Sequence, residues 1–233
     1  MTDAIDAYFW PTPNGWKLTI ALEEMELPYR LHLIDIDHGA QHAPAFQKIS
    51  PNGRIPAIVD PDGPGGEPVS IFESGAILLY LGRKTGRFLG TSERERLRVL
   101  EWLMWQMGGL GPMAGQAHHF LRVVPRARPE LDATYSQDRY RAETARLYAV
   151  LDRQLAHHEF IAGDFLSVAD FAAWPWASQW IRQEQVLEEM PHVARWLRQL
   201  GARPALRRGR LLHAELRKEN AAELAYRREI LGG

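Results

Sequence analysis

The sequence predicts an α/β N-terminal half followed by an all-α C-terminal half. Three observations carry this. Strand and helix signals alternate over the first eighty or so residues, strand signals stop beyond Gly90, and glycine- and proline-rich turns separate the early elements. The chain has 233 residues, enough for two small domains sharing an interface, and we expect them at 1–88 and 91–233.

Ile5 to Trp10 reads as a strand, and Pro11-Thr12-Pro13-Asn14-Gly15 as a turn. Trp16 to Met25 has helical spacing with a glutamate-rich face, and Tyr29 to Ile36 alternates as a half-buried strand does. Pro44 opens a short helix over 43–49. Ile55 to Asp60 and Pro68 to Phe72 are short apolar runs joined by Pro61-Asp62-Gly63-Pro64-Gly65-Gly66, a hairpin loop by composition. Ser74 to Leu81 is helical again. The order is β-α-β-α-β-β-α, and a helical crossover makes the first two strands parallel.

In the second half, Ser92 to Met107 is an amphipathic helix rich in aromatics, which Gly108-Gly109-Leu110-Gly111-Pro112 should break or kink. Tyr135 to Leu155 is a long helix. Ser167-Val168-Ala169-Asp170 is a capping box, opening an apolar helix that runs to Ile181. Pro191 starts a further helix through Leu200, and the charged tail from Arg207 reads as a solvated helix or a frayed terminus.

Composition narrows the function. Hydrophobic residues make up 45%, charged residues 24%, and the net charge is −1, so no general attraction to nucleic acid or an anionic membrane is expected. No apolar run approaches the roughly 18 residues of a membrane span, and the first ten residues lack a secretory pattern, which points to the cytoplasm. The paired histidines at 118–119 and 157–158 lack metal-ligand spacing and read as structural or surface residues. There is no cysteine, so a thiol chemistry here needs a sulfur from a bound small molecule.

Three segments form the candidate site: the Thr12-Pro13-Asn14-Gly15 turn, Arg54-Ile55-Pro56 entering a strand, and Glu73-Ser74-Gly75 opening a helix. Two of them are helix starts, whose unpaired N–H groups and dipole attract anions. A ligand with a carboxylate at one end and a thiolate some way off could use both. Each feature alone has an ordinary reading: Asn14 as a helix cap, Glu73-Ser74 as a plain helix start, Pro56 as a trans proline at a strand end. Their joint order on this background is what is unusual.

The segments YFWPTPNGWKLTIALEE, ISPNGRIPAIVD, IFESGAILLYL, WLMWQMGGLGPMAGQAHHF and SVADFAAWPW resemble the glutathione transferase superfamily over nearly all of residues 4–205. The TPNG turn and the GGLGPM…HHF stretch resemble its nu class, which includes bacterial disulfide-bond oxidoreductases and is related to the yeast nitrogen-regulating prion protein. The resemblance implies a thioredoxin-like N-terminal domain and a helical C-terminal domain. It implies a homodimer and glutathione, reduced or oxidised, as cosubstrate. Thr12 and Asn14 would then lie beside the sulfur, Ile55 before a cis Pro56 would pair with the cysteinyl backbone, and Arg54 would flank it. Glu73 and Ser74 would hold the γ-glutamyl end, Gln41 the glycyl end, and Arg139 would face the same cleft. Tyr8 would be a packed aromatic. The family's partner-subunit glutamine aligns with Glu101 here, a departure from the pattern. The implied activity is reduction of small disulfides by bound glutathione. The alternatives are conjugation of glutathione to electrophiles and a non-catalytic regulatory role.

Overall fold

The computed structural model describes residues 4–231. By its internal contacts the chain divides into two units, Met1–Leu89 with Arg203–Lys218, and Gly90–Ala202 with Glu219–Gly233.

The first unit is thioredoxin-like. Its elements are β1 (Ile5–Phe9), α1 (Pro13–Glu24), β2 (Tyr29–Leu33), α2 (Pro44–Gln47), β3 (Ala57–Asp60), β4 (Val69–Phe72) and α3 (Ser74–Thr85). The sheet order is β2-β1-β3-β4. β1 and β2 run parallel with Tyr8 opposite His32, while β3 is antiparallel to both β1 and β4. The alternating pattern of β1 buries Ile5, Ala7 and Phe9 and turns Asp6 and Tyr8 to the other face. The predicted strand to Ile36 stops at Leu33, because Asp35 instead caps a 3₁₀ turn over Ile36–His38 with its carboxylate. The predicted helix over 43–49 shortens to the four residues of α2.

The second unit holds α4 (Glu93–Trp105), α5 (Gly111–His118), α6 (Val124–Ala127), α7 (Thr134–Leu155), α8 (Val168–Ala177) and α9 (Pro191–Gly201). The capping box at Ser167 and Asp170 forms as the sequence predicts. Asp170 is fully buried, accepts hydrogen bonds from the Ile161 and Ser167 N–H groups and from Trp196 Nε1, and burial lifts its pKa to about 6. The expected break at Gly108–Pro112 does not occur. π-turns at Gln106–Leu110 and His119–Val123 carry the helix on from α4 through α5 to α6. A π-turn accommodates the N–H that Pro112 lacks without ending the helix. The glycines have a packing purpose: a Cβ on Gly111 would lie 2.7 Å from Gln106 Nε2, and one on Gly115 would lie 3.2 Å from the Trp176 ring.

The charged tail is a solvated surface only in part: its described residues form two helices that each pack one side on the fold and leave the other exposed. α10 (Pro204–Leu211) belongs to the first unit and packs on α1, while α11 (Ala221–Leu231) packs on α9 in the second. Arg203 pairs with buried Glu24 through two bonds at 2.8 and 2.7 Å, and Arg208 reaches Glu23 at 2.6 Å. Arg210 and Arg217 lie over the Trp16 ring, at 3.5 and 4.5 Å from its centre. The glutamate-rich face of α1 is therefore covered by arginines. A helix buried all round, as α1 is, results from the sheet, α3 and α10 together.

Candidate active site

The register of the sheet brings the three predicted segments to one end of it. β3 pairs with β1 through Tyr8–Ala57 and with β4 through Ala57–Phe72. Continuing these registers by two residues sets Ile55 between Trp10 and Ser74. Thr12 follows Trp10 by two residues, so the turn, the Ile55-Pro56 segment and the start of α3 share one rim. The Ile55-Pro56 peptide is cis, and Ile55 lies outside the ladder, which begins at Ala57.

Thr12, not Asn14, is the N-cap of α1. Its extended backbone (φ −123°, ψ 164°) is the usual cap conformation, and its Oγ1 accepts from the Gly15 N–H at 3.4 Å. An oxygen used in this way still has its own proton to donate. Asn14 is the second helical residue, so its side chain is not spent on that cap. Gly15 must be glycine, because a Cβ there would come within 2.1 Å of the Trp10 carbonyl oxygen. Pro11, just before the cap, accepts from Arg217 Nη1 at 3.3 Å.

At the other anchor, Glu73 occupies the cap position of α3 with φ 71° and ψ 113°. A non-glycine residue at positive φ is strained, and such strain concentrates at binding sites. Its side chain makes no cap bond and is exposed. Ser74 is the first helical residue, 6% exposed, and its Oγ accepts from Lys17 Nζ at 3.3 Å. Ser50, fully buried, donates to the Arg54 carbonyl at 2.8 Å and so fixes the backbone entering Ile55. Arg54 itself is exposed. Gln41 stands on a 3₁₀ turn (Ala40–His42) beside Gly53: a Cβ on Gly53 would lie 3.3 Å from the Gln41 carbonyl. The Gln41 Oε1 atom is buried and has no hydrogen-bond partner among the described residues.

Tyr8 points elsewhere. Its ring stacks on His32 at 4.8 Å and leans on Phe46, and burial raises its pKa. Arg139 lies in the second unit, exposed on α7, lining a cavity of about 750 Å³ with Met113, Tyr135 and Tyr140. Glu101 is exposed on α4 and paired with Arg98 at 2.8 Å. Sequence reasoning passed over Ser50, Lys17 and Arg217. A lone charge inside the helical stretch Trp16 to Leu22, which otherwise holds only apolar residues and Thr19, was the one signal for Lys17.

A cysteine-free chain with two helix starts at one sheet rim beside a cis Ile-Pro bond narrows the class considerably, and sequence comparison agrees. Residues 12–84 match the family described as Glutathione S-transferase, N-terminal domain, and residues 113–204 match Glutathione S-transferase, C-terminal domain. The chain belongs to the glutathione S-transferase family. Among its relatives, the disulfide-bond oxidoreductase YfcG of Escherichia coli is 50% identical over 218 residues, covering 93% of this chain and 99% of that protein. A glutathione transferase from Pseudomonas putida, solved with one glutathione disulfide bound per subunit, shares 40% identity. Its TM-score is 0.85, over 90% of this chain and 92% of that one. A Burkholderia graminis glutathione transferase with two glutathione molecules bound per subunit shares 41%, with a TM-score of 0.84 over 89% and 88%.

Proposed function

We propose that this protein is a glutathione-dependent disulfide-bond oxidoreductase that works without a thiol of its own. The observation that carries the reading is the rim itself: two helix N-termini flank an Ile55 backbone segment, on a chain with no cysteine. Relatives of both kinds, named as disulfide-bond oxidoreductase or solved with glutathione disulfide, support it.

Glutathione binds with its γ-glutamyl ammonium against Glu73 and its carboxylate at Ser74 and the start of α3. The cysteinyl backbone pairs with Ile55 ahead of Pro56, with Arg54 flanking, and the glycyl end reaches Gln41. The sulfur then lies at the Thr12–Asn14 turn. We assign these glutathione contacts to the first unit, which combines Met1–Leu89 with Arg203–Lys218. The free thiol has a pKa of about 8.5, and donors from Thr12, Asn14 and the α1 N-terminus favour its thiolate. The thiolate attacks one sulfur of a small disulfide RSSR, forming a mixed disulfide and expelling RS⁻, which takes a proton. A second glutathione thiolate attacks the mixed disulfide at the glutathione sulfur, releasing the other RS⁻ and leaving glutathione disulfide. Two glutathiones are oxidised for each disulfide reduced, and the protein is unchanged.

Among the described residues no helix is long and apolar enough to cross a membrane, which accords with a cytoplasmic setting, where glutathione is reduced. A homodimer fits the exposed apolar stripe Leu97, Leu100 and Met104 along α4. The deciding assay compares glutathione-dependent reduction of hydroxyethyl disulfide with conjugation of an aryl halide. Reduction should dominate. Conjugation alone would make the protein an ordinary conjugating transferase, and glutathione binding without either activity would make it a regulatory one.

A further inference from the structure

Lys17 sits one and a half turns into α1 and is 1% exposed. Burying an ammonium is costly unless it is compensated, and an apolar side chain would fill this place without that cost. Part of its compensation comes from the start of α3: the Ser74 oxygen at 3.3 Å and the field of the Glu73 carboxylate. One rigid helix thus begins at the Thr12 turn and braces the Glu73-Ser74 turn from inside the unit. Burial, opposed by Glu73, brings the Lys17 pKa down to about 7, so its charge is poised near neutrality. Of the other charges on elements packed against α1, Asp6 of β1 is held by Arg30 and His32, Lys84 of α3 by Asp60, and Arg83 of α3 is exposed. Arg203 and Arg208 hold Glu24 and Glu23, and Arg210 and Arg217 lie over Trp16.

We propose that Lys17 is a positioning residue for the γ-glutamyl end of the ligand, holding the Glu73-Ser74 turn from within and taking up a proton when the ligand carboxylate arrives there. This rests on the glutathione reading. A carboxylate beside the α3 start favours the charged lysine, and by linkage such a site binds more tightly where the lysine is already protonated.

The test is titration calorimetry with γ-glutamyl-α-aminobutyryl-glycine, a glutathione analogue with a methyl group in place of the thiol, so that no sulfur proton confuses the count. Runs in buffers of different ionisation enthalpy at neutral pH report protons exchanged. The wild type should take up a fraction of a proton, and its affinity should fall as pH rises from neutral, by up to about tenfold. Lys17→Met should bind about tenfold more weakly at neutral pH, with no uptake and a flat pH profile. Lys17→Arg should recover part of the affinity but keep the flat profile, since a guanidinium stays charged. Wild-type affinity and uptake in Lys17→Met would overturn the proposal. If that variant does not fold, an unaltered pH profile in Lys17→Arg would do so. Binding without proton uptake in the wild type sinks this inference alone, whereas no binding at all sinks the glutathione reading with it.

Discussion

At the scale of residues, the proposed mechanism gives the Thr12 hydroxyl two partners. It accepts from the Gly15 N–H as the cap of α1 and has a proton to give to the sulfur. Removing it should therefore change two observables. Thr12→Ala should lower disulfide-reductase turnover by about one to two orders of magnitude, since a hydrogen bond to a charged acceptor is worth roughly 1.5–3 kcal/mol. It should also lower the melting temperature by roughly 2–4 °C, the effect of losing a cap worth about 1 kcal/mol. Thr12→Ser should restore both. Asn14→Ala should show the turnover loss without the thermal one, because Asn14 is not the cap. Tyr8→Phe should leave turnover near wild type, as the ring is committed to His32 and Phe46. A glutathione-coupled assay on a small disulfide, run beside thermal melts, separates these outcomes. A Tyr8→Phe enzyme without activity would instead mark a tyrosine-activated thiol. At the opposite anchor, Glu73→Ala should weaken glutathione binding strongly in calorimetry, because the ligand ammonium loses its only named carboxylate partner.

At the scale of elements, α10 is as much a part of the site's scaffold as β1. The Thr19 hydroxyl donates to the Gly209 carbonyl at 2.7 Å, and a Cβ on Gly209 would lie 2.7 Å from the Ile20 backbone. That contact is backbone against backbone, so no side chain can move aside. Gly209→Ala should cost about 1–3 kcal/mol of stability, seen as a fall of roughly 3–10 °C in melting temperature. Because α10 holds the helix that bears the Thr12 turn, glutathione affinity should weaken in the same variant. An unchanged melting temperature would mean that the α1–α10 contact is looser than its geometry. The sequence reads the tail from Arg207 as a solvated helix or a frayed terminus, so neither the start of this helix at Pro204 nor its place was legible. A run of arginines after Arg203 has the composition of a solvated surface, and only the glutamates and Trp16 of α1, far earlier in the chain, turn it inward.

For the whole molecule, the stripe Leu97, Leu100 and Met104 recurs at helical spacing on α4 and is 54%, 41% and 48% exposed. In the proposed homodimer this row is the face that a second copy of the chain covers. Sedimentation at micromolar concentration should show a dimer, and Leu100→Glu should shift it toward monomer, since a carboxylate buried in an apolar contact is costly. A monomeric wild type would rule the dimer out.

The sequence by itself determined the order of elements in the N-terminal half, the helix starts at Thr12 and Ser74, the capping box at Ser167 and the lack of any protein thiol. These depend on turn chemistry, capping and periodicity, which act between residues only a few positions apart. It also placed Ile55-Pro56 at a strand entrance, and the family resemblance implied the cis peptide that the structure has. The tertiary structure decided the rest. The registers of β3 with β1 and β4 gather three segments into one rim, π-turns keep the Gly108–Pro112 stretch helical against Trp176, and Arg203–Lys218 joins the first unit. It also set Lys17 in the interior beneath Ser74. Each of these follows from contacts between residues distant in the chain, 190 positions apart for Thr19 and Gly209. Burial and partner charge, the two quantities that give Lys17 and Arg210 their meaning, exist only once those distant segments have met.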